Sequence, residues 1–154
     1  MDELLKRKSL YIMAIDPGEQ TGWVLCRLNL PPHDLEFEVE QLGTQPFEEM
    51  LKDMRVWGTI GATVDVFVLE TYPSRLSESE QMKRVLRLSQ LISDQFMPYS
   101  KLFLMSPADW KPIAKAQKWH VDGKTPHEKD AFNILRYYAL TEFKVDLGDY
   151  YARS

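Results

Sequence analysis

Two unbroken apolar runs organise the chain. Leu10-Tyr11-Ile12-Met13-Ala14-Ile15 is stopped by Asp16-Pro17-Gly18, and Val66-Phe67-Val68-Leu69 is stopped by Glu70. Runs this short and continuous read as strands buried on both faces. Residues 21–26 resume the β pattern after a very short connection, with Pro17 and Gly18 as turn residues, so the first two strands form a hairpin. Residues 35–42 alternate, with Phe37 and Val39 on one face and Glu36, Glu38 and Glu40 on the other. That pattern predicts a half-solvated edge strand whose glutamates resist pairing with another sheet. Residues 102–105 form a fifth short apolar run.

Helical spacing falls between these runs. Phe47, Met50, Leu51, Met54 and Trp57 share a face that ends near Gly58. Ser77 with Glu80 resembles a capping box and predicts a helix reaching about Phe96. Its face of Met82, Val85, Leu86, Leu88, Leu91 and Ile92 is wider than one sheet contact needs, which points to a partner. Ser106-Pro107 opens a helical turn through Asp109, Trp110 and Ile113, with Trp110 read as core. Pro126 suits the first turn of a last helix running to about Phe143, with Ile134, Leu135 and Tyr138 inward. The order β-β-β-α-β-α-β-α joins an antiparallel start to an α/β second half. A right-handed crossover then lets the fourth strand lie parallel to the first.

Composition narrows the class. The 154 residues (18.0 kDa, 44% hydrophobic, 27% charged) suffice for one domain with its own core. A lone cysteine, Cys26, excludes a disulfide framework and a cysteine zinc cluster. No window approaches the 18 apolar residues of a spanning helix, and the charged stretch Met1 to Lys8 lacks a signal-peptide core. The expectation is a cytoplasmic protein without a membrane partner. The net charge of -4 argues mildly against nucleic acid only when read as a total. Residues 1–74 carry 6 Lys/Arg against 13 Asp/Glu, whereas residues 75–129 carry 10 against 6. A basic band crosses an acidic protein; on charge alone it is equally an ordinary solvated helix face.

The chemistry concentrates at element joints. Asp16 and Glu70 each end a buried run, so parallel neighbouring strands bring both to one carboxyl edge, where open α/β sheets place their sites. Carboxylates there are costly to bury alone, and a divalent cation with oxygen ligands, magnesium or manganese, relieves their repulsion. His127 and Asp130 lie three apart on one helical face, with Glu128 turned away. Singly, each has a plainer reading: a turn residue, a strand-end surface acid, an exposed histidine, a helix-dipole partner. Their joint placement at the joints of one topology favours a site. There is no Gly-rich Lys-Ser/Thr loop for an ATPase.

At this point the chain resembles the RuvC-type Holliday-junction resolvases of the ribonuclease H-like superfamily, over about residues 10–140. Ile15-Asp16-Pro17-Gly18 with Thr21-Gly22 is similar to that family's first-strand signature, and Val68-Leu69-Glu70 to its fourth-strand Glu. His127-Glu128-Lys129-Asp130-Ala131 is similar to its last-helix motif, and Pro107-Ala108-Asp109-Trp110-Lys111 to a stretch whose lysine approaches DNA. Pro73 stands where the family often has an aromatic wedge, with Tyr72 the nearest aromatic. The short stretch from Lys111 to Asp130 is more like the phage-encoded branch.

The resemblance implies a single ribonuclease H-like nuclease domain over 1–154, its ordered core about 9–143. Its fold is α/β, with a five-stranded mixed sheet in order 3-2-1-4-5, strand 2 antiparallel and helices on both faces. It implies two-magnesium phosphodiester hydrolysis, with Mn2+ able to substitute, on Asp16, Glu70, His127 and Asp130 as catalytic and metal-binding residues. The substrate implied is four-way or other branched DNA, contacted by Tyr72, Arg75, Lys111, Lys115, Lys118, Lys124 and Lys129. Paired nicks imply a homodimer, for which Met82, Val85, Leu88, Leu91 and Ile92 form the candidate interface. The rivals are a related nuclease acting on forks, flaps or RNA, and a non-catalytic DNA-binding module on the same fold.

Overall fold

The computed structural model describes residues 9–29, 36–71 and 79–152. Five strands form one sheet: β1 (Ser9–Asp16), β2 (Gln20–Asn29), β3 (Glu36–Pro46), β4 (Val66–Glu70) and β5 (Lys101–Met105). Their spatial order is β3-β2-β1-β4-β5. β2 runs antiparallel to β1 and β3, while β4 is parallel to both β1 and β5. Among the described residues four helices connect or follow them: α1 (Phe47–Thr59), α2 (Glu80–Gln95), α3 (Pro107–Ala116) and α4 (Pro126–Phe143). This is the mixed α/β sheet that the sequence pattern and the family resemblance imply.

The unbroken apolar runs are explained by two cores, one on each face. Alternate residues of β1 and β4 point opposite ways. Ile12, Ala14, Val66 and Val68 pack with Trp110 of α3 and with Ile134, Leu135 and Tyr138 of α4. Met13, Ile15, Phe67 and Leu69 pack with Met50, Leu51 and Met54 of α1 and with Leu88, Leu91 and Ile92 of α2.

Three expectations shift. β3 continues four residues beyond Leu42 to Pro46, and a bulge opposite Leu25/Cys26 absorbs one residue of its ladder with β2. The cap of α2 is Ser79, whose hydroxyl accepts from the Met82 N–H; Ser77 lies outside the described residues. The wide face of α2 is spent inside the chain. Val85, Leu88, Leu91 and Ile92 are all buried, and only Leu86 stands out at 56% exposure. As an interface with a second copy, those four have no surface left to offer; Met82 is half-buried beside Thr71.

Packing continues past Phe143. Lys144 takes a left-handed conformation (φ 59°) that ends α4 and turns the chain back. Arg136, buried on α4, then donates to Asp146 (2.7 Å) and Asp149 (2.8 Å), and its guanidinium lies 4.2 Å over the Trp119 ring. Val121 and Tyr150 form a parallel bridge, so residues 144–152 are strapped beside the start of α4.

Candidate metal centre

The parallel register of β1 and β4 aligns Ile15 with Leu69, so the next residues, Asp16 and Glu70, sit side by side at the carboxyl edge. Both are buried, 5% and 2% exposed. Asp130 reaches the same point from the second turn of α4. One carboxylate oxygen from each of Asp16, Glu70 and Asp130 lies within 4.8 Å of the other two.

Four local devices hold this arrangement. The Thr21 hydroxyl donates to the Gly18 carbonyl (2.9 Å), closing the turn after Asp16. Gln81 of α2 donates its amide to the Pro17 carbonyl from the other side. Gly22, cross-strand partner of Asp16, leaves room for the first turn of α4. Thr125 caps that turn in a capping box with Glu128, and its hydroxyl is 2.6 Å from that of Thr44 on β3. The pattern Thr125-Pro126-His127-Glu128 is a legible capping signature, and neither it nor Thr44 was among the expected site residues. Glu128 is occupied by the N–H groups of Lys124 (2.6 Å) and Thr125 (3.3 Å), so it is not a fourth carboxylate at the centre.

The electrostatics of the three carboxylates favour a cation ligand. Burial, reinforced by the neighbouring Asp130 carboxylate and opposed by Lys111, raises the Asp16 carboxyl to about 7. Burial likewise raises Asp130, against the pull of Lys111 and His127. Three crowded oxygen donors of this kind suit a hard divalent ion such as magnesium or manganese. His127 meets the cluster through Asp16, its Nδ1 lying 3.3 Å from Asp16 Oδ2.

The expected nucleic-acid contacts divide. Lys111, on the first turns of α3, is close enough to act on both Asp16 and Asp130. Lys124 and Lys129 flank the start of α4 and line a recess there. Lys115 near the end of α3, and Lys118 just beyond it, are exposed with no part in the carboxylate cluster. Tyr72 and Arg75 lie outside the described residues. A larger recess of about 570 Å3 opens at the opposite sheet edge among Val64, Asp65, Phe96, Tyr99 and Lys101, away from the carboxylates.

Sheet order and helices on both faces match an α/β ribonuclease H-like fold. Known structures agree. The Thermus thermophilus RuvC structure aligns at 12% identity over 86% of this chain and 96% of that one, with a TM-score of 0.55. T. thermophilus RuvC in complex with Holliday junction substrate gives 0.56 at 12% identity, covering 86% and 97%. The fowlpox virus Holliday junction resolvase gives 0.52 at 11% identity, covering 86% and 99%. No family model and no curated protein sequence matches. No helix among the described residues is long and apolar enough to cross a membrane.

Proposed function

We propose that the chain is a metal-dependent nuclease, and more narrowly an endonuclease that resolves four-way and other branched DNA. The observation that carries this reading is the convergence of Asp16, Glu70 and Asp130 from three separate elements on one buried edge. Divalent ions bound there supply Lewis-acid stabilisation of the attacking and leaving oxygens of a phosphodiester.

The chain's own residues take distinct parts. Asp16 would hold a divalent ion together with Glu70 and Asp130. Glu70 and Asp130 would complete the oxygen donor set, and Glu70 would help orient the attacking water. With its proton on Nδ1, His127 would donate to Asp16 and set the carboxylate's orientation, and it would join the metal ligands through its other ring nitrogen. Lys111 holds a phosphate beside the centre, and Lys115, Lys118, Lys124 and Lys129 fix the strand's register through its backbone.

A paired cut needs two centres, and a two-fold pair of chains matches a two-fold junction. Leu86 on α2 and Leu104 on β5, 56% and 55% exposed, are the apolar side chains those elements leave for a second copy.

The test is a cleavage panel with magnesium or manganese: a mobile junction, a fixed junction, a fork, a flap, an RNA and plain duplex. Symmetric nicks in the junctions, lost in Asp16→Asn, Glu70→Gln and Asp130→Asn, are expected. Preference for flap, fork or RNA corrects the substrate. No metal-dependent cleavage of any substrate overturns the nuclease reading.

A further inference from the structure

A second feature adjoins the centre. On the β3 side of α4 a recess of about 480 Å3 is lined by Leu42, His120, Gly123, Lys124, Lys129 and Tyr150. Leu42 stands on β3, two strands across from β1, on the order of 10 Å at the usual strand spacing. From its edge the His120 ring stacks at 4.9 Å, with 24° between planes, on Tyr151, which lines the neighbouring recess with Phe37 and Val39; Tyr150 and Ala152 line both. Tyr151 is 66% exposed, so an aromatic face remains open.

The platform is held in place before any ligand arrives. The His120 N–H donates to Asp149 (3.0 Å), and the Tyr150 N–H donates to the His120 carbonyl (3.0 Å). Asp122 pairs with the His120 ring (2.7 Å) and accepts from the Ala152 N–H (2.9 Å). Glu128 is engaged by the Lys124 and Thr125 amides. The two carboxylates beside Lys124 and Lys129 therefore already have partners, while both lysines are exposed.

We infer that this recess is a nucleotide subsite for an unpaired base of the bound strand. The base stacks on the open face of Tyr151, whose other face is backed by the His120 ring, and Lys124 and Lys129 hold the adjoining phosphates. An open π-face beside two cations is the combination that retains single-stranded nucleic acid without sequence preference. Leu42 supplies an apolar wall, and the hydrogen-bonded strap keeps the rings in stacking position, which limits the ordering cost of binding. The inference rests on the nuclease reading for its substrate, but not on the metal chemistry.

The test is equilibrium binding, with EDTA present, of a short oligodeoxythymidylate and of an abasic strand of equal length. The full chain should bind the thymidylate roughly tenfold more tightly than the abasic strand. Tyr151→Ala should bring the two affinities together, and Tyr151→Phe should restore the difference. Lys124→Gln with Lys129→Gln should weaken both strands alike and flatten the salt dependence. Equal binding of the two strands by the unaltered chain, or a preference that survives Tyr151→Ala, overturns the subsite. A base preference in a chain that cleaves nothing sinks the nuclease reading and leaves the subsite; cleavage without a base preference does the reverse.

Discussion

Gly22 is the cross-strand partner of Asp16, and a β-carbon placed on it would stand 2.2 Å from both the carbonyl carbon and the carbonyl oxygen of His127. The backbone of α4 thus rests directly on β2, at the position paired with the central carboxylate. That contact decides how deeply Asp130 enters the cluster. Gly22→Ala must push back the first turn of α4, since backbone rather than a flexible side chain is in the way. The expected cost is about 1–3 kcal/mol of stability. Divalent-ion affinity should fall by more than tenfold, read by calorimetric titration on protein whose circular dichroism shows it folded. Unchanged ion affinity would separate the contact from the site.

Asp16 makes the ion-free protein less stable toward neutral pH. Its carboxyl is raised from 3.8 to about 7, so the folded chain holds a proton that the unfolded chain has released. Stability contributed by this group therefore declines as pH rises from about 4 to about 7, then levels off. Asp16→Asn removes the effect. In EDTA at pH 8 the variant should be the more stable protein, by up to about 4 kcal/mol, with the gap closing toward pH 4. Magnesium should raise the melting temperature of the unaltered chain and not of the variant. Parallel melting curves across this range would show that Asp16 carries no such burden.

Leu86 and Leu88, two of the three leucines of α2, should behave oppositely. Leu88 is fully buried and Leu86 is 56% exposed. Leu88→Ala should cost about 2–5 kcal/mol in urea unfolding. Leu86→Glu, with Leu104→Glu, should leave stability within about 0.5 kcal/mol and shift sedimentation toward monomer. A dimer that withstands both charges places the contact elsewhere.

Arg136 should control the strap of residues 144–152 without touching the Asp16, Glu70 and Asp130 cluster. Its guanidinium joins Asp146 and Asp149 and lies over Trp119. Arg136→Met retains much of the buried stem and removes the ion pairs. The expected loss is about 1–2 kcal/mol, modest because both aspartates are solvent-accessible. Hydrogen exchange should accelerate at the amides of Asp122, Tyr150 and Ala152, with the core of α4 unchanged.

What the amino-acid pattern revealed depended on how local its cause was. β1 and β4 were legible because burial on both faces leaves an unbroken apolar run, and the carboxylate ending each run marked the edge. Asp130 was legible through its spacing from His127. The end of β3 was not, because Gly43, Thr44 and Gln45 are held by ladder hydrogen bonds to β2 rather than by an apolar alternation. The broad face of α2 was read correctly as apolar but assigned the wrong neighbour. Gly58 lets α1 approach Gln95 of α2, and α1 with the sheet covers what one sheet contact would have left open. The strap has no periodicity at all. Its partners, Arg136 with Asp146 and Asp149, meet only after Lys144 reverses the chain.

The joining of His127 to Asp16 across 111 residues has a consequence for the chain during its own synthesis. β1 and β4 emerge early and carry two carboxylates. The third arrives only with α4, which packs against β1, β2, β3 and β4 and so needs the finished sheet as its seat. A nascent or truncated chain lacking that helix has neither Asp130 nor His127 to complete the centre. On the proposed nuclease reading, a copy whose α4 is not yet seated cannot cut.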